Sequence, residues 1–121
     1  MENLRDLDKI VKQIIFTSKK GKSGKNYFVK LELINGMSTE MFCEKEVIEA
    51  INALKEIEEK PIKSMKLVEK MSEDKGVPYI CVLVTLCDDS DFIFFPKKAF
   101  NIVINATYKK FEQDLKNKNT K

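Results

Sequence analysis

The sequence predicts an α+β fold made of two tandem βββα units, a pseudo-repeat in which each antiparallel sheet is followed by a packing helix. The segment 27–34 aligns without a gap with the segment 79–86, at an offset of 52 residues. The same offset places residues 41–43 on residues 93–95, and each half continues into one amphipathic helix. Self-similarity at a fixed period is the signature of repeated architecture.

The chain length fits one domain made of two repeats. The 121 residues divide into repeats at about 10–59 and 62–115, followed by a basic C-terminal tail at 116–121. Either half alone would bury too little surface to be stable. We therefore expect residues 1–121 to form a single domain in which the two halves share a core.

Composition excludes several functional classes. The net charge is only +3, which permits a local basic patch but not a histone-like polycation. No apolar segment approaches the ~20 residues that span a bilayer, and the first residues do not resemble a signal peptide. We therefore expect a cytoplasmic protein without a membrane partner.

The sequence offers little material for catalysis or metal binding. It has no histidine, and its three cysteines are scattered, which favours neither a zinc site nor a disulfide framework. The Gly-Lys-Ser at 21–23 lacks the upstream glycine of a phosphate-binding loop. The acidic segment 88–91 is typical of a hairpin turn. We expect no enzymatic activity, no cofactor and no bound metal.

The first half is predicted as three strands. Apolar residues near the start have helical spacing, but the β-branched and aromatic composition of 11–17 favours a strand. We place a short helical or irregular segment at 3–9 and a strand at 10–19, although the choice between helix and strand for 3–16 stays open. A glycine-punctuated loop at 19–25 precedes strands at 26–34 and 37–43.

The turn at Asn35-Gly36 is the strongest hairpin signal in the chain. A three-residue loop at 35–37 would pair Leu33 with Thr39, and Leu31 with Met41. This register makes one face apolar, as a half-buried sheet requires, although Glu32 then faces Glu40.

Both predicted helices carry an apolar stripe at helical spacing. The first runs from about Lys45 to Glu59 and ends before Pro61. The second half is predicted as strands at 63–71, 78–86 and 92–95, with a helix that begins at Pro96.

The faces of the two halves that point away from the predicted core differ in character. In the first half this face carries both charged and apolar residues. In the second half it is apolar, which predicts a homodimer with this face at its interface. The predicted dimer residues are Ile80, Val82, Val84, Phe92 and Phe94.

A lysine-rich loop is the main candidate for ligand binding. Four lysines within seven residues suit contacts to phosphates, and aromatic residues on the adjoining strands suit stacking against unpaired bases. The alternative is a solvated loop beside core aromatics. The predicted nucleic-acid contacts are Lys19, Lys20, Lys22, Lys25, Phe28, Lys30 and Phe42, with Phe16 and Tyr27 as further aromatics.

The segments 25–33, 38–42 and the helix from Lys45 resemble a repeat of the PUR proteins. The second half resembles it through 79–85, 92–95 and the helix from Pro96, and the plan is similar to the PC4 and whirly group of single-strand binders. The resemblance implies binding of single-stranded DNA or RNA by the sheet and hairpin loops, and dimerisation through one repeat. The lysines at 19–25 and Lys30 would contact phosphates.

A second hypothesis is a protein-interaction module, such as a regulator or inhibitor from a mobile element. The near-neutral charge, the missing catalytic groups and the apolar second sheet favour it.

Overall fold

The computed structural model describes residues 4–22 and 24–119. They form two three-stranded antiparallel sheets, in the orders β1-β2-β3 and β4-β5-β6, and two α-helices, which confirms the α+β class. The elements are a 3₁₀ helix at Leu7–Ile10, β1 at Val11–Gly21, β2 at Gly24–Leu33, β3 at Ser38–Phe42, α1 at Lys45–Lys55, β4 at Ile62–Met71, β5 at Pro78–Leu86, β6 at Asp91–Phe94 and α2 at Lys98–Asn119.

The start of the chain combines both structures that the sequence allowed. Leu7 and Ile10 of the 3₁₀ helix are buried in the core, and β1 begins at the next residue. Ile34 donates its backbone N–H to the carbonyl of Ile10 at 2.9 Å, which ties this segment to the end of β2. Asn3, at the start of the predicted helical segment, lies outside the described residues.

The predicted loop at 19–25 does connect two strands of a hairpin, but it is shorter than predicted, because most of its described residues are strand. β1 and β2 pair continuously from Gln13 and Glu32 to Gly21 and Gly24, and Lys22 lies in the turn that follows Gly21; Ser23 lies outside the described residues. β3 pairs with β2 only as far as Phe28. Residues 18–21 and 24–26 therefore form a two-stranded extension, which we call the β-arm. Alternation along the strand places Lys19 on one face and Lys20 on the other, and the ladder continues although Lys20 lies opposite Lys25.

The register of β2 and β3 differs from the predicted one by two residues. The loop has three residues, as predicted, but they are 34–36, so Leu31 pairs with Thr39 and Lys30 with Glu40. Gly36 donates to the carbonyl of Leu33 at 3.0 Å and has a φ of 89°. A turn of this type needs a left-handed residue in its last position, and glycine fulfils that at Gly36.

Because the register differs by an even number of residues, each side chain of the first sheet lies on the face that was predicted for it. Val29, Leu31 and Leu33 point to the core, and the side chains between them point outward. Glu32 faces Ser38 instead of Glu40, which removes the opposition of like charges in the predicted register.

The second sheet closes its hairpin in the same way. Asp89 donates to the carbonyl of Leu86 at 2.9 Å, and Leu86 donates to that of Ser90 at 2.9 Å. Asp89 has a φ of 69° and occupies the position that Gly36 fills in the first half.

The helices keep the predicted positions with different ends. α1 ends at Lys55 rather than Glu59, and Ile57, which was predicted on its apolar stripe, is 79% exposed. α2 begins at Lys98 rather than Pro96 and continues through the predicted tail to Asn119. The last two residues of that tail, 120 and 121, lie outside the described part. No helix in the described residues is long and apolar enough to cross a membrane.

One hydrophobic cluster draws on both sheets and both helices. Its members include Val29 and Leu31 from the first half, and Val82, Leu86 and Ile104 from the second. The two halves therefore complete one another's burial, which is the arrangement that their small size requires.

The predicted dimer face is wrong, because its residues belong to this cluster. Ile80, Val82, Val84 and Phe94 are buried, and Phe92 is partly buried against them. These five residues therefore form no free apolar face at which a second copy could bind.

The cause of this error is the repeat offset. Val29 pairs with Met41 in the first sheet and Val82 pairs with Phe94 in the second, so these two cross-strand pairs are 53 residues apart rather than 52. Because side chains alternate along a strand, an odd error in the offset exchanges the two faces of the sheet.

Candidate nucleic-acid interface

The four lysines predicted to bind phosphate lie on the β-arm or at its turn, and all are exposed. Lys19 lies opposite Asn26, whereas Lys20 lies directly opposite Lys25. Side chains alternate along a strand, so Lys19 points to the outer face, and Lys20 and Lys25 point to the other. The structure therefore does not bring all four ammonium groups to one surface. It forms a slender basic arm with charge on both sides.

The outer face of the first sheet brings together a lysine and two aromatic rings. Phe28 and Phe42 lie on neighbouring strands with ring centroids 5.8 Å apart and an interplanar angle of 73°. The Nζ of Lys19 lies 5.3 Å from the centroid of Phe28, within cation–π range. Phe42 is 58% exposed. We call these rings the Phe28–Phe42 platform, and Lys30 stands beside it on the same face.

Carboxylates on this face are paired with neighbouring polar side chains. Glu40 accepts a hydrogen bond from Lys19 at 2.6 Å. Glu32 accepts one from Gln13 at 2.7 Å and has the Nζ of Lys12 at 3.9 Å. Surface ion pairs of this kind contribute about 0–1 kcal/mol, so a phosphate can replace a carboxylate as the partner of Lys19.

Two further aromatics that the sequence suggested for stacking lie on the inner face. Phe16 and Tyr27 stack on one another at 5.5 Å and pack against the hydrophobic cluster. They support the base of the β-arm and are not part of the outer platform.

Sequence reasoning missed a related surface on the second sheet. Tyr79 and Phe95 approach to 6.0 Å between centroids, and Phe95 is 64% exposed. Lys70 lies opposite Tyr79, and Lys66 lies opposite Leu83 on the same face. An offset of 53 residues, which aligns the starts of α1 and α2, would have matched Phe95 with Phe42 and revealed this face.

The cysteines are not part of this surface chemistry. Cys43 and Cys81 are buried, and desolvation raises the pKa of Cys43 to about 11. Burial also raises the pKa of Cys81, and this is partly offset by Lys70. Both thiols are therefore protonated and unreactive at neutral pH. Within residues 4–22 and 24–119, no three acidic or thiol side chains cluster in a way that would hold a metal ion.

Comparison of the chain with known protein families, with curated proteins and with solved structures found no match.

Proposed function

We propose that the protein binds single-stranded DNA or RNA through the β-arm and the Phe28–Phe42 platform. The observation that carries the proposal is an aromatic pair, half-buried at Phe28 and exposed at Phe42, with an ammonium group over one ring. Every unpaired base has a π face that can stack on such a platform, and each stacked base contributes about 1–3 kcal/mol. The arm lysines supply the phosphate contacts. This is also the ligand class that the resemblance to PUR repeats implies.

We further infer that the two halves derive from one duplicated βββα unit. Equivalent cross-strand pairs at Val29–Met41 and Val82–Phe94 support this inference. The matching turns, closed at Gly36 and Asp89, support it as well. On this reading, Tyr79 and Phe95 form a second, weaker platform in the second half.

Fluorescence anisotropy with labelled 20-nucleotide DNA and RNA tests the proposal. If about four lysines contact phosphates, raising the salt from 50 to 200 mM should weaken binding on the order of fifty-fold. Phe42→Ala should weaken binding by about 5- to 150-fold at either salt concentration, because it removes a stacking surface without changing charge.

A charge-matched pair of variants separates the arm from general electrostatics. One variant replaces Lys19, Lys20, Lys22 and Lys25 by glutamate. The control also makes four replacements by glutamate, at exposed lysines that lie outside the arm: Lys55, Lys60, Lys98 and Lys109. The arm variant should lose binding, and the control should retain most of it. Absence of binding at 50 mM salt, or equal losses in the two variants, would exclude the proposed interface.

An interaction module is the second candidate function. It is favoured by an exposed cleft between the edge strands β3 and β6, where large apolar side chains lie beside strand edges that pair with no other described strand.

A further inference from the structure

The cleft between β3 and β6 has a volume of about 530 Å³. Within the part of the chain that the structure describes, β3 is the end strand of the first sheet and β6 is the end strand of the second, so each has one edge with which no described strand pairs. Residues of both strands, and of the segments that lead into α1 and α2, line the cleft.

Main-chain hydrogen-bonding groups point into this cleft from the β3 side. Leu33 donates its N–H to the carbonyl of Met37 at 2.9 Å, and Cys43 donates to that of Tyr27 at 2.8 Å. Alternate residues of an antiparallel strand bond to the same neighbour. Odd-numbered residues from 37 to 43 therefore bond to β2, and Glu40 and Phe42 direct their N–H and C=O groups to the free edge.

The β6 side follows the same rule. Leu86 donates to the carbonyl of Ser90 at 2.9 Å, so even-numbered residues from 90 to 94 bond to β5. Ile93 and Phe95 present their main-chain groups to the cleft, which both of them line. An unpaired edge of this kind is a template for an added strand.

The side chains around the cleft differ between its floor and its rim. Met41 and Phe94 are buried and form an apolar floor. Phe42 and Phe95 lie at the outer side and are mostly exposed. An extended segment in the cleft would alternate its side chains between these two environments.

The charges of the rim are mostly negative. Among the described residues that line the cleft, Glu40, Glu44 and Glu46 are acidic and Lys97 alone is basic. Lys19 pairs with Glu40, but this exposed ion pair contributes little net stability and can exchange for another cation. Two copies of this chain that paired through β3 would bring the same glutamates together. A basic segment of a different protein is the complementary occupant.

We propose that this cleft binds an extended segment of a partner protein, added as a strand to β3 or β6, in which apolar residues alternate with lysine or arginine. The apolar side chains contact the floor, and the basic ones contact the glutamate rim. This inference deepens the second candidate function, the interaction module, and does not depend on nucleic-acid binding.

A labelled octapeptide of alternating lysine and valine is the probe, and fluorescence anisotropy is the measurement. Two control peptides carry alternating glutamate and valine, or four lysines followed by four valines. The alternating basic peptide should bind at least ten-fold more tightly than either control. Methylation of alternate backbone amides on its hydrogen-bonding side should weaken binding at least ten-fold, because strand addition depends on those donors. Equal binding of the alternating and block peptides would overturn the proposal.

Protein variants locate the binding to the cleft. Glu44→Lys combined with Glu46→Lys should weaken peptide binding at least ten-fold. The matched control, Glu56→Lys with Glu58→Lys, makes the same charge change outside the cleft and should stay within two-fold of the original protein. Circular dichroism verifies that both variants fold. Equal effects of the two pairs would overturn the assignment.

Two further measurements separate this inference from other outcomes. Replacing Lys20, Lys22 and Lys25 by glutamate should impair nucleic-acid binding and leave peptide binding intact. A failure of the proposed nucleic-acid binding can therefore be told apart from a failure of the proposed peptide binding. Light scattering reports the oligomeric state. A dimer that the peptide cannot dissociate, and that excludes the peptide, would overturn the proposal by identifying a second copy as the occupant.

Discussion

Replacing Glu69 by glutamine should destabilise the protein, because Glu69 anchors the N-terminal segment to β4. Arg5 donates from Nη2 to Oε2 of Glu69 at 2.6 Å and from Nε to Oε1 at 3.2 Å. The backbone N–H of Arg5 adds a third hydrogen bond to Oε1 at 3.1 Å. The guanidinium also lies 5.5 Å from the ring centroid of Tyr108 on α2. One carboxylate therefore positions a residue that also contacts α2.

The expected loss of unfolding free energy in Glu69→Gln lies between two limits. A fully exposed ion pair contributes about 0–1 kcal/mol, and breaking a fully buried pair costs about 3–5 kcal/mol. The side chain of Glu69 is 9% exposed and that of Arg5 is 33% exposed. We therefore expect Glu69→Gln to lower the free energy of unfolding by about 2 kcal/mol at pH 7, which lowers Tm by roughly 6–10 °C for a domain of this size.

The pH dependence gives a sharper test. Hydrogen bonds from Arg5 lower the pKa of Glu69 below its ordinary value of 4.5, and raise that of Arg5. A carboxyl group whose folded pKa is depressed stabilises the fold above its unfolded pKa, and this contribution disappears as the pH falls through the folded pKa. The difference between the original protein and Glu69→Gln should be constant from pH 7 to about 5.5, and should shrink below pH 4.5.

Urea denaturation of Arg5→Ala, Glu69→Gln and the double variant measures the coupling directly. Glu49→Gln is the matched control, because Glu49 pairs with Lys45 at 3.8 Å on the exposed face of α1. That pair should contribute about 0.3–0.5 kcal/mol. A coupling energy between Arg5 and Glu69 no larger than this would refute the anchoring role of Glu69. The same holds if the loss of unfolding free energy in Glu69→Gln persists unchanged at pH 2.5.

Three further changes test other parts of the structure. Gly36→Ala should cost about 1–2 kcal/mol in urea denaturation, because its φ of 89° is strained for a residue with a Cβ; an unchanged midpoint would contradict the turn assignment. Val84→Ala should cost on the order of 2–3 kcal/mol, since Val84 is buried; a loss below 0.5 kcal/mol would place its side chain outside the core. Ellman's reagent should label Cys87, which is half-buried, in the native protein, and label Cys43 and Cys81 only on unfolding; rapid labelling of all three would contradict their burial.

The order of elements was accessible from sequence because local signals mark each boundary. Pro61 separates the halves, and Asn35-Gly36 locates a hairpin. The register of the two strands at this hairpin could not be predicted. Sequence alternation fixes only which residues share a face, and two registers that differ by two residues satisfy it equally.

The faces of the second sheet could not be read from its own strand. Residues 80–84 are apolar without alternation, so the pattern contains no information about which side is inward. The matching tyrosines, Tyr27 and Tyr79, favoured an offset of 52, although the helix starts at Lys45 and Lys98 differ by 53. The two offsets place opposite faces of the second sheet inward. The packing of both halves against one core shows that the offset of 53 assigns these faces correctly.

The sequence predicted the faces of the aromatic side chains in the candidate site better than those of the lysines. Phe28, Lys30 and Phe42 share the outer face that sequence alternation assigns to them. Lys20 and Lys25 were grouped with Lys19 because glycine and lysine suggested a loop, whereas continued strand pairing places them on the opposite face. Nucleic-acid binding itself stays a prediction.

The hydrophobic cluster shared by the two halves determines when the chain can fold during synthesis. Val29 and Leu31 emerge from the ribosome while Phe94 and Ile104, which belong to the same cluster, are still untranslated. At about 5–20 residues per second, the missing half takes on the order of 3–12 s to follow. Throughout that interval the nascent first half exposes an apolar surface that the C-terminal half later covers, and transiently exposed surface of this kind favours aggregation.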